Sequence, residues 1–163
     1  MRRIATATAP KITPFIWFDG SAEDAAKFYT SLFKNSRILS ITRYSEGMPL
    51  PKGTVLTVNF EIAGQRITAL NGGPQFKLSE AFSLVVSCDS QAEIDEYWEK
   101  LTSGGGKPSQ CGWLKDRFGL SWQIVPSNLV ELITGPNSAR VMQAIMPMTK
   151  LDVAKLKVAA EGK

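Results

Sequence analysis

Ile12–Phe18 (ITPFIWF) followed by Ser21–Phe33 (SAEDAAKFYTSLF) is the stretch on which the fold turns. The first run is β-branched and aromatic, the composition of a strand. Ser21 offers a helix N-cap, and Asp24 three residues on completes a capping box. Behind it Ala22, Ala25, Ala26, Tyr29, Leu32 and Phe33 recur at helical spacing and form one apolar stripe. Sixty-nine residues beyond Ser21 the pattern returns. Phe82–Cys88 (FSLVVSC) is again strand-like, and Ser90 is a second N-cap with Glu93 in the capping-box position. Ile94, Tyr97, Trp98 and Leu101 then stand at i, i+3, i+4 and i+7, so the chain states one pattern twice.

The segments C-terminal to the two helices also correspond. Arg37–Tyr44, Thr54–Ile62 and Arg66–Asn71 are β-rich, with Ala63-Gly64 as a tight hairpin turn. After the second helix, Gly104-Gly105-Gly106 is a stop, succeeded by shorter runs at Lys107–Cys111, Trp113–Asp116 and Ser121–Val125. Asp116-Arg117-Phe118-Gly119 joins the last two. Each half reads as β-α-β-β-β, and a lone half leaves a sheet face and its edges uncovered, so two halves belong together. The expected fold is α+β: two βαβββ modules forming curved antiparallel or mixed sheets around a cleft, plus a C-terminal helical segment. The boundaries read as an N-terminal tail at 1–10, a first module at 11–75, a second at 76–126 and a helical appendage at 127–163. Within the appendage Asn128–Ile133, Ala139–Met146 and Leu151–Glu161 look helical, broken by Gly135-Pro136 and Pro147.

Composition narrows the function. The chain has 163 residues, 44% apolar and 21% charged, with a net charge of +4. That is an ordinary globular balance. The basic residues are scattered among acidic ones with no run beyond Arg2-Arg3, so no nucleic-acid partner is expected. No apolar stretch approaches a membrane span and no secretory core succeeds the two arginines, which gives a cytoplasmic expectation with no membrane partner. Cys88 lies in an apolar run and reads as a small hydrophobe, whereas Cys111 beside Gly112 reads as a pocket thiol. The sequence holds no histidine. Ser-His-Asp and Cys-His nucleophile systems, His-rich zinc sites and the two-histidine iron triad are therefore excluded. Acid–base work would fall to Asp, Glu, Lys, Tyr or Cys.

Four separated motifs carry a family resemblance: KITPFIWFDGSAEDAAKFYTSLF, ALNGGPQFK, QCGWLKDRFGLSWQIVP and RVMQAIMPM. Together they resemble the PhnB-like branch of the vicinal oxygen chelate (glyoxalase/bleomycin-resistance/dioxygenase) superfamily, whose members often carry the label 3-demethylubiquinone-9 3-methyltransferase. The resemblance spans about Lys11 to Leu156. It implies paired modules, sheets curling around a cleft, homodimers and a cytoplasmic setting. It also implies metal-ligand positions near Pro14, near Ala69 or Asn71, near Ser83 and at Gln123. Those residues offer amides and a hydroxyl instead of imidazole or carboxylate, so neither a catalytic metal nor another cofactor is expected.

Strand alternation places Ser121 with Gln123, and Ser83 with Val85 and Ser87, on the cleft side, while Trp122, Ile124, Leu84 and Val86 point to the core. Trp113, Phe76 and Cys111 are expected at the rim. The candidate ligand-binding residues are thus Asn71, Phe76, Ser83, Cys111, Trp113, Ser121 and Gln123. The Gly clusters at 72–73 and 104–106 lack the strand-to-helix setting of a nucleotide turn, so the methyltransferase label finds no support in them. Three readings stand. The first is a metal-free protein binding a small aromatic or antibiotic-like molecule, supported by Trp17, Phe76, Trp113 and Trp122. The second is an enzyme, a methyltransferase as labelled or a lyase or isomerase, with Glu46, Asp116 or Tyr44 as base. The third is an interaction protein with a vestigial cleft.

Overall fold

The computed structural model describes residues 10–162, so most of the expected tail at 1–10 lies outside the described residues. The chain divides into two compact units, one running to Lys77 and the other from Leu78 onward.

In the first unit, β1 (Phe15–Phe18) leads to α1 (Ala22–Leu32), β2 (Arg37–Arg43), β3 (Val55–Ile62) and β4 (Gln65–Asn71). The sheet order is β1-β4-β3-β2, with β1 parallel to β4 and the remaining pairs antiparallel. In β1, β4 and most of β3 alternate residues are buried, as a sheet with one covered face requires, whereas the edge strand β2 buries none. Ile16, Phe18, Val58, Phe60, Ile67 and Ala69 form a core with Ala22, Ala25, Ala26 and Tyr29 of α1, which packs on β3 and β4. Ala63 and Gly64 take φ of 46° and 85°, the paired left-handed conformation of a type I′ turn. The N-cap at Ser21 departs from expectation, since its side chain makes no capping bond and its φ/ψ of −105°/14° lies outside the extended region caps use. The acceptor comes instead from the end of β4, where Asn71 Oδ1 takes the Ala22 N–H at 2.8 Å.

The second unit repeats the scheme with β5 (Ser83–Cys88), α2 (Gln91–Thr102), β6 (Lys107–Pro108), β7 (Trp113–Lys115) and β8 (Ser121–Pro126), in the order β5-β8-β7-β6. Here Ser90 caps as read, while the Glu93 carboxylate reaches one residue further back than a capping box requires, to Asp89. The Glu93 N–H donates to Ser90 Oγ at 3.2 Å, and Glu93 Oε2 accepts from the Asp89 N–H at 2.7 Å. Leu114, Trp122 and Ile124 are buried with Ile94 and Leu101, and α2 packs on β5, β7 and β8. Strand β6 is shorter than the expected Lys107–Cys111, because the chain reverses at Cys111 and Gly112, whose φ of 58° and 82° form a tight turn closed by the Trp113 N–H on Gln110 O. Both sheets being mixed, the fold is the expected α+β arrangement of two βαβββ modules.

Three helices close the second unit: α3 (Leu129–Thr134), α4 (Ser138–Ile145) and α5 (Val153–Ala160). Their apolar faces meet in a cluster of Val125, Val141, Ile145, Leu151 and Leu156. Gln91 laces this appendage to α2, donating to Leu151 O at 3.1 Å and accepting the Val153 N–H at 2.8 Å.

Cys88, 1% exposed, supplies the first test. Burial pushes its thiol up from 9.0 to about 11, with the neighbouring carboxylates of Glu93 and Asp89 adding to the effect. The neutral thiol is therefore favoured by the fold, a contribution fully present below pH 9.0 and lost as pH rises toward 11. At pH 8 a disulfide reagent is expected to label Cys111 in the folded protein and Cys88 only after denaturation, as one fast thiol and one silent one. Two fast thiols would show that the β5 end of the core opens readily.

Candidate functional site

The face of the second sheet turned away from α2 is the chemically varied one. Register sets Ser121 between Ser83 on one neighbour and Lys115 on the other, and Gln123 between Val85 and Trp113. Residues paired across strands share a face, so these six lie together while Trp122 and Ile124 point under the helix. Gln123 Nε2 donates to Ser83 Oγ at 3.0 Å. Val85 is 56% exposed beside this pair.

At one end of this face a hollow of about 360 Å³ is lined by Ser109, Gln110, Cys111, Trp113, Leu114, Lys115, Ser121 and Glu80. Lys115 Nζ meets Glu80 Oε1 at 2.6 Å. That hydrogen bond holds the Glu80 carboxyl below the usual carboxylate range, with the lysine charge acting in the same direction. Ser121 is 1% exposed, and among the described residues its Oγ is a buried side-chain atom with no hydrogen-bond partner. Buried polar atoms are nearly always paired, so this hydroxyl is an unmet demand in the wall of the hollow.

The hollow thus brings together three of the residues singled out in the sequence: Cys111, Trp113 and Ser121. Ser83 and Gln123 are bonded to each other on the same face. Asn71 and Phe76 belong to the first unit. Asn71 accepts from Ala22 N–H and donates Nδ2 to Val55 O at 3.1 Å, a clamp between helix and sheet. Phe76 is 64% exposed and stands edge-on to Trp17 with ring centroids 4.9 Å apart. Lys115 and Glu80 escape the sequence reading. Alternation from Trp113 puts Lys115 on the Trp113 face, a usable signal, whereas Glu80 lies in a connection without periodicity.

Two other hollows are already satisfied internally. One of about 690 Å³, lined in part by Gln91, Asp95 and Lys150, is the seam under the appendage. Its Gln91 amide is fully engaged, and Asp95 pairs with Lys150. The other, about 330 Å³ in the first unit, contains the ladder in which Thr68 donates to Asn59 and Asn59 donates to Ser40.

The candidate bases fare differently. Asp116 is a correction: 3% exposed, it is bound into its own turn and cannot reach a ligand. Its Oδ1 accepts from the N–H groups of Phe118 and Leu120, and its Oδ2 from the Trp122 indole at 2.8 Å. Glu46 is exposed and lies 4.0 Å from Lys52, while Tyr44 closes the β2–β3 hairpin through backbone bonds with Thr54 and Gly53.

The metal positions of the fold do not fit an ion here. Pro14 presents only its carbonyl, which accepts from Thr68 N–H. Ala69 has no donor atom, Asn71 is committed to Ala22 and Val55, and Ser83 and Gln123 are committed to each other. Among the described residues no group of three or more carboxylate or thiol side chains could hold a metal. Neutral amides and hydroxyls are weak ligands for transition ions. Nor does the first Gly pair fit a nucleotide turn. The Trp17 ring occupies the space a Cβ at Gly72 would need, 2.2 Å away, and its Nε1 donates to Gly73 O at 2.8 Å.

Paired four-stranded βαβββ modules define the chain as a vicinal oxygen chelate protein in fold. The family model for 3-demethylubiquinone-9 3-methyltransferase matches residues 10–125, and the chain belongs to that family, the PhnB-like branch. It is similar to the structure of a Bacillus cereus PhnB protein bearing the same methyltransferase description, at 38% identity and a TM-score of 0.65, over 71% of this chain and 99% of that one. A Pseudomonas aeruginosa protein matches at 18% identity with a TM-score of 0.58, covering 72% and 98%. The fosfomycin resistance protein FosX from Listeria monocytogenes, solved with Mn(II) and sulfate, matches at 16% and 0.53, covering 77% and 95%. These last two show the shared fold. No curated protein matches the chain. Among the described residues, no helix is long and apolar enough to cross a membrane.

Proposed function

We propose that the protein binds a small, flat aromatic molecule carrying a polar oxygen, without a metal, in the hollow of the second unit. The observation that carries this is the buried, unpartnered Ser121 hydroxyl in a wall shared with the Trp113 ring and Cys111. Trp113 supplies a face for stacking, Ser121 a hydrogen bond that is missing in the empty hollow, and Lys115 a cation near an acidic substituent. The volume falls in the range of about 300 to 1,000 Å³ usual for small-molecule sites.

The test uses 1-naphthoate. A ligand that binds only the folded state raises the Tm by mass action. Ser121→Ala is expected to weaken naphthoate about tenfold while leaving the free protein as stable as before, or more stable by about 1 kcal/mol, because an unsatisfied buried hydroxyl is removed. Trp113→Ala is expected to abolish binding. No shift with naphthoate in the unmodified protein, or binding indifferent to both substitutions, overturns the reading.

The description of the family favours a second reading, an enzyme using S-adenosylmethionine. The same screen therefore includes S-adenosylmethionine and Mn(II): a strong shift with the first transfers the protein to that class, and one with the second to metal-dependent enzymes of the chelate type. Silence throughout leaves an interaction protein with a vestigial cleft. We also infer a cytoplasmic homodimer, for which the exposed Val130, Met142 and Met146 of the appendage are the supporting observation. Light scattering at the mass of one chain would count against the dimer.

A further inference from the structure

We propose that the C-terminal appendage is a positioning element for this hollow, so that filling the hollow and docking the segment Met146–Leu151 stabilise each other. This rests on the hollow being a binding site. Its rim, Ser109 to Cys111, lies in the β6–β7 connection and is bonded in two directions. Toward the sheet, the Ile124 N–H donates to Gly112 O at 2.8 Å, and the Ser109 N–H donates to Trp113 O at 2.9 Å. Toward the appendage, the Cys111 N–H donates to Met148 O at 2.7 Å and the Gly112 N–H to Thr149 O at 2.8 Å, with a weak contact from Cys111 Sγ to Met146 O at 3.9 Å.

Cys111 and Gly112 are the central pair of a tight turn that the Trp113 N–H closes on Gln110 O at 3.0 Å, and the appendage holds that turn from outside. Cys111 has a φ of 58°. A side-chain-bearing residue keeps that geometry when its surroundings over-determine it. The turn's own bond sets that φ, and the two appendage carbonyls fix where the turn lies by accepting the N–H groups of its central residues, immediately before Trp113, the wall of the hollow. Leu151, 1% exposed, lies where a Cβ at Gly112 would meet it at 3.1 Å, and belongs to the core that closes the appendage. The rim of this hollow is therefore held by the appendage as well as by the sheet, which makes the appendage a determinant of what the hollow accepts.

Coupling between two sites is reciprocal, so either end can be read. In the unmodified protein, saturating 1-naphthoate is expected to slow amide exchange at least fivefold at Val153 and Leu156, appendage residues that do not line the hollow. Leu151→Ala, also outside the lining, is expected to weaken naphthoate about tenfold, with Leu151→Met recovering most of the loss. Val58→Ala, a core truncation in the first unit, is expected to leave the affinity unchanged. If naphthoate does not bind the unmodified protein, the binding-site reading fails and this inference falls with it. If naphthoate binds but neither appendage exchange nor the Leu151→Ala affinity moves, or Val58→Ala weakens binding equally, the coupling alone is overturned. Should Leu151→Ala fail to fold, the exchange measurement decides.

Discussion

Asp116→Ala is expected to destabilise the protein by about 4 kcal/mol, lowering the Tm by roughly 10 °C. The carboxylate accepts from two backbone N–H groups of its own turn and from the Trp122 indole, all in a setting where Asp116 is 3% exposed and Trp122 1%. Alanine fills none of these roles, and each buried donor left without its acceptor costs about 1 to 3 kcal/mol. Asp116→Asn keeps an acceptor oxygen but turns an amide donor toward another donor, so about half the loss is expected. Thermal or urea unfolding reads both. A double-mutant cycle with Trp122→Phe separates this account from a general loss of packing: with the indole donor gone, removing the carboxylate is expected to cost at least 1 kcal/mol less. Strict additivity would show that the Asp116–Trp122 bond contributes nothing measurable.

The same aspartate marks where sequence reading stops. In Asp116-Arg117-Phe118-Gly119 an acid that closes a turn and an acid that works as a base are written identically; burial and the indole across the turn separate them. The strands and helices were legible because periods of two and 3.6 are local properties of the chain, and the repeat stated each of them twice. Ser90 capped the Glu93 N–H as read for the same reason, the whole device lying between Asp89 and Glu93. Ser21 did not, because its replacement, Asn71, arrives from the far end of β4. Alternation likewise put Ser83, Ser121 and Gln123 on one face, and carried further it would have included Lys115. It could not distribute residues between hollows. Asn71 and Phe76 fall in the first unit, and a period of two, which says which side of a strand a residue occupies, says nothing of which module's surface it joins. Glu80, in an aperiodic connection, needed the folded chain to bring it to Lys115.

Gly112→Ala is the substitution expected to break site and fold together, at about 2 to 5 kcal/mol. Gly112 is buried with a φ of 82°, a conformation costing a side-chain-bearing residue about 1 to 2 kcal/mol. The added Cβ would stand 2.9 Å from Ile124 O and 3.1 Å from Leu151. A flexible tip could yield to it, but a backbone carbonyl inside a sheet cannot move without loosening the ladder, and overpacking of this kind costs about 1 to 3 kcal/mol more. Cys111 next to it shows that the left-handed region alone is tolerable, at 58°, so the decisive difference is the lack of room at 112. Gly112 also bonds in both directions, its carbonyl accepting from the Ile124 N–H of the sheet and its N–H donating to Thr149 O of the appendage. Relief must therefore come from β8, which moves Ser121, or from the Thr149–Leu151 segment, which releases the rim at Cys111. Either route distorts the hollow, so naphthoate binding is expected to vanish in whatever fraction of Gly112→Ala remains folded. Gly119→Ala is the informative comparison, with a φ of 91° but nothing within 4 Å of the added Cβ. It is expected to show the conformational cost alone, about 1 to 2 kcal/mol, with binding intact. Equal losses at the two positions would mean that backbone strain, and not the close approach at Gly112, governs this part of the chain.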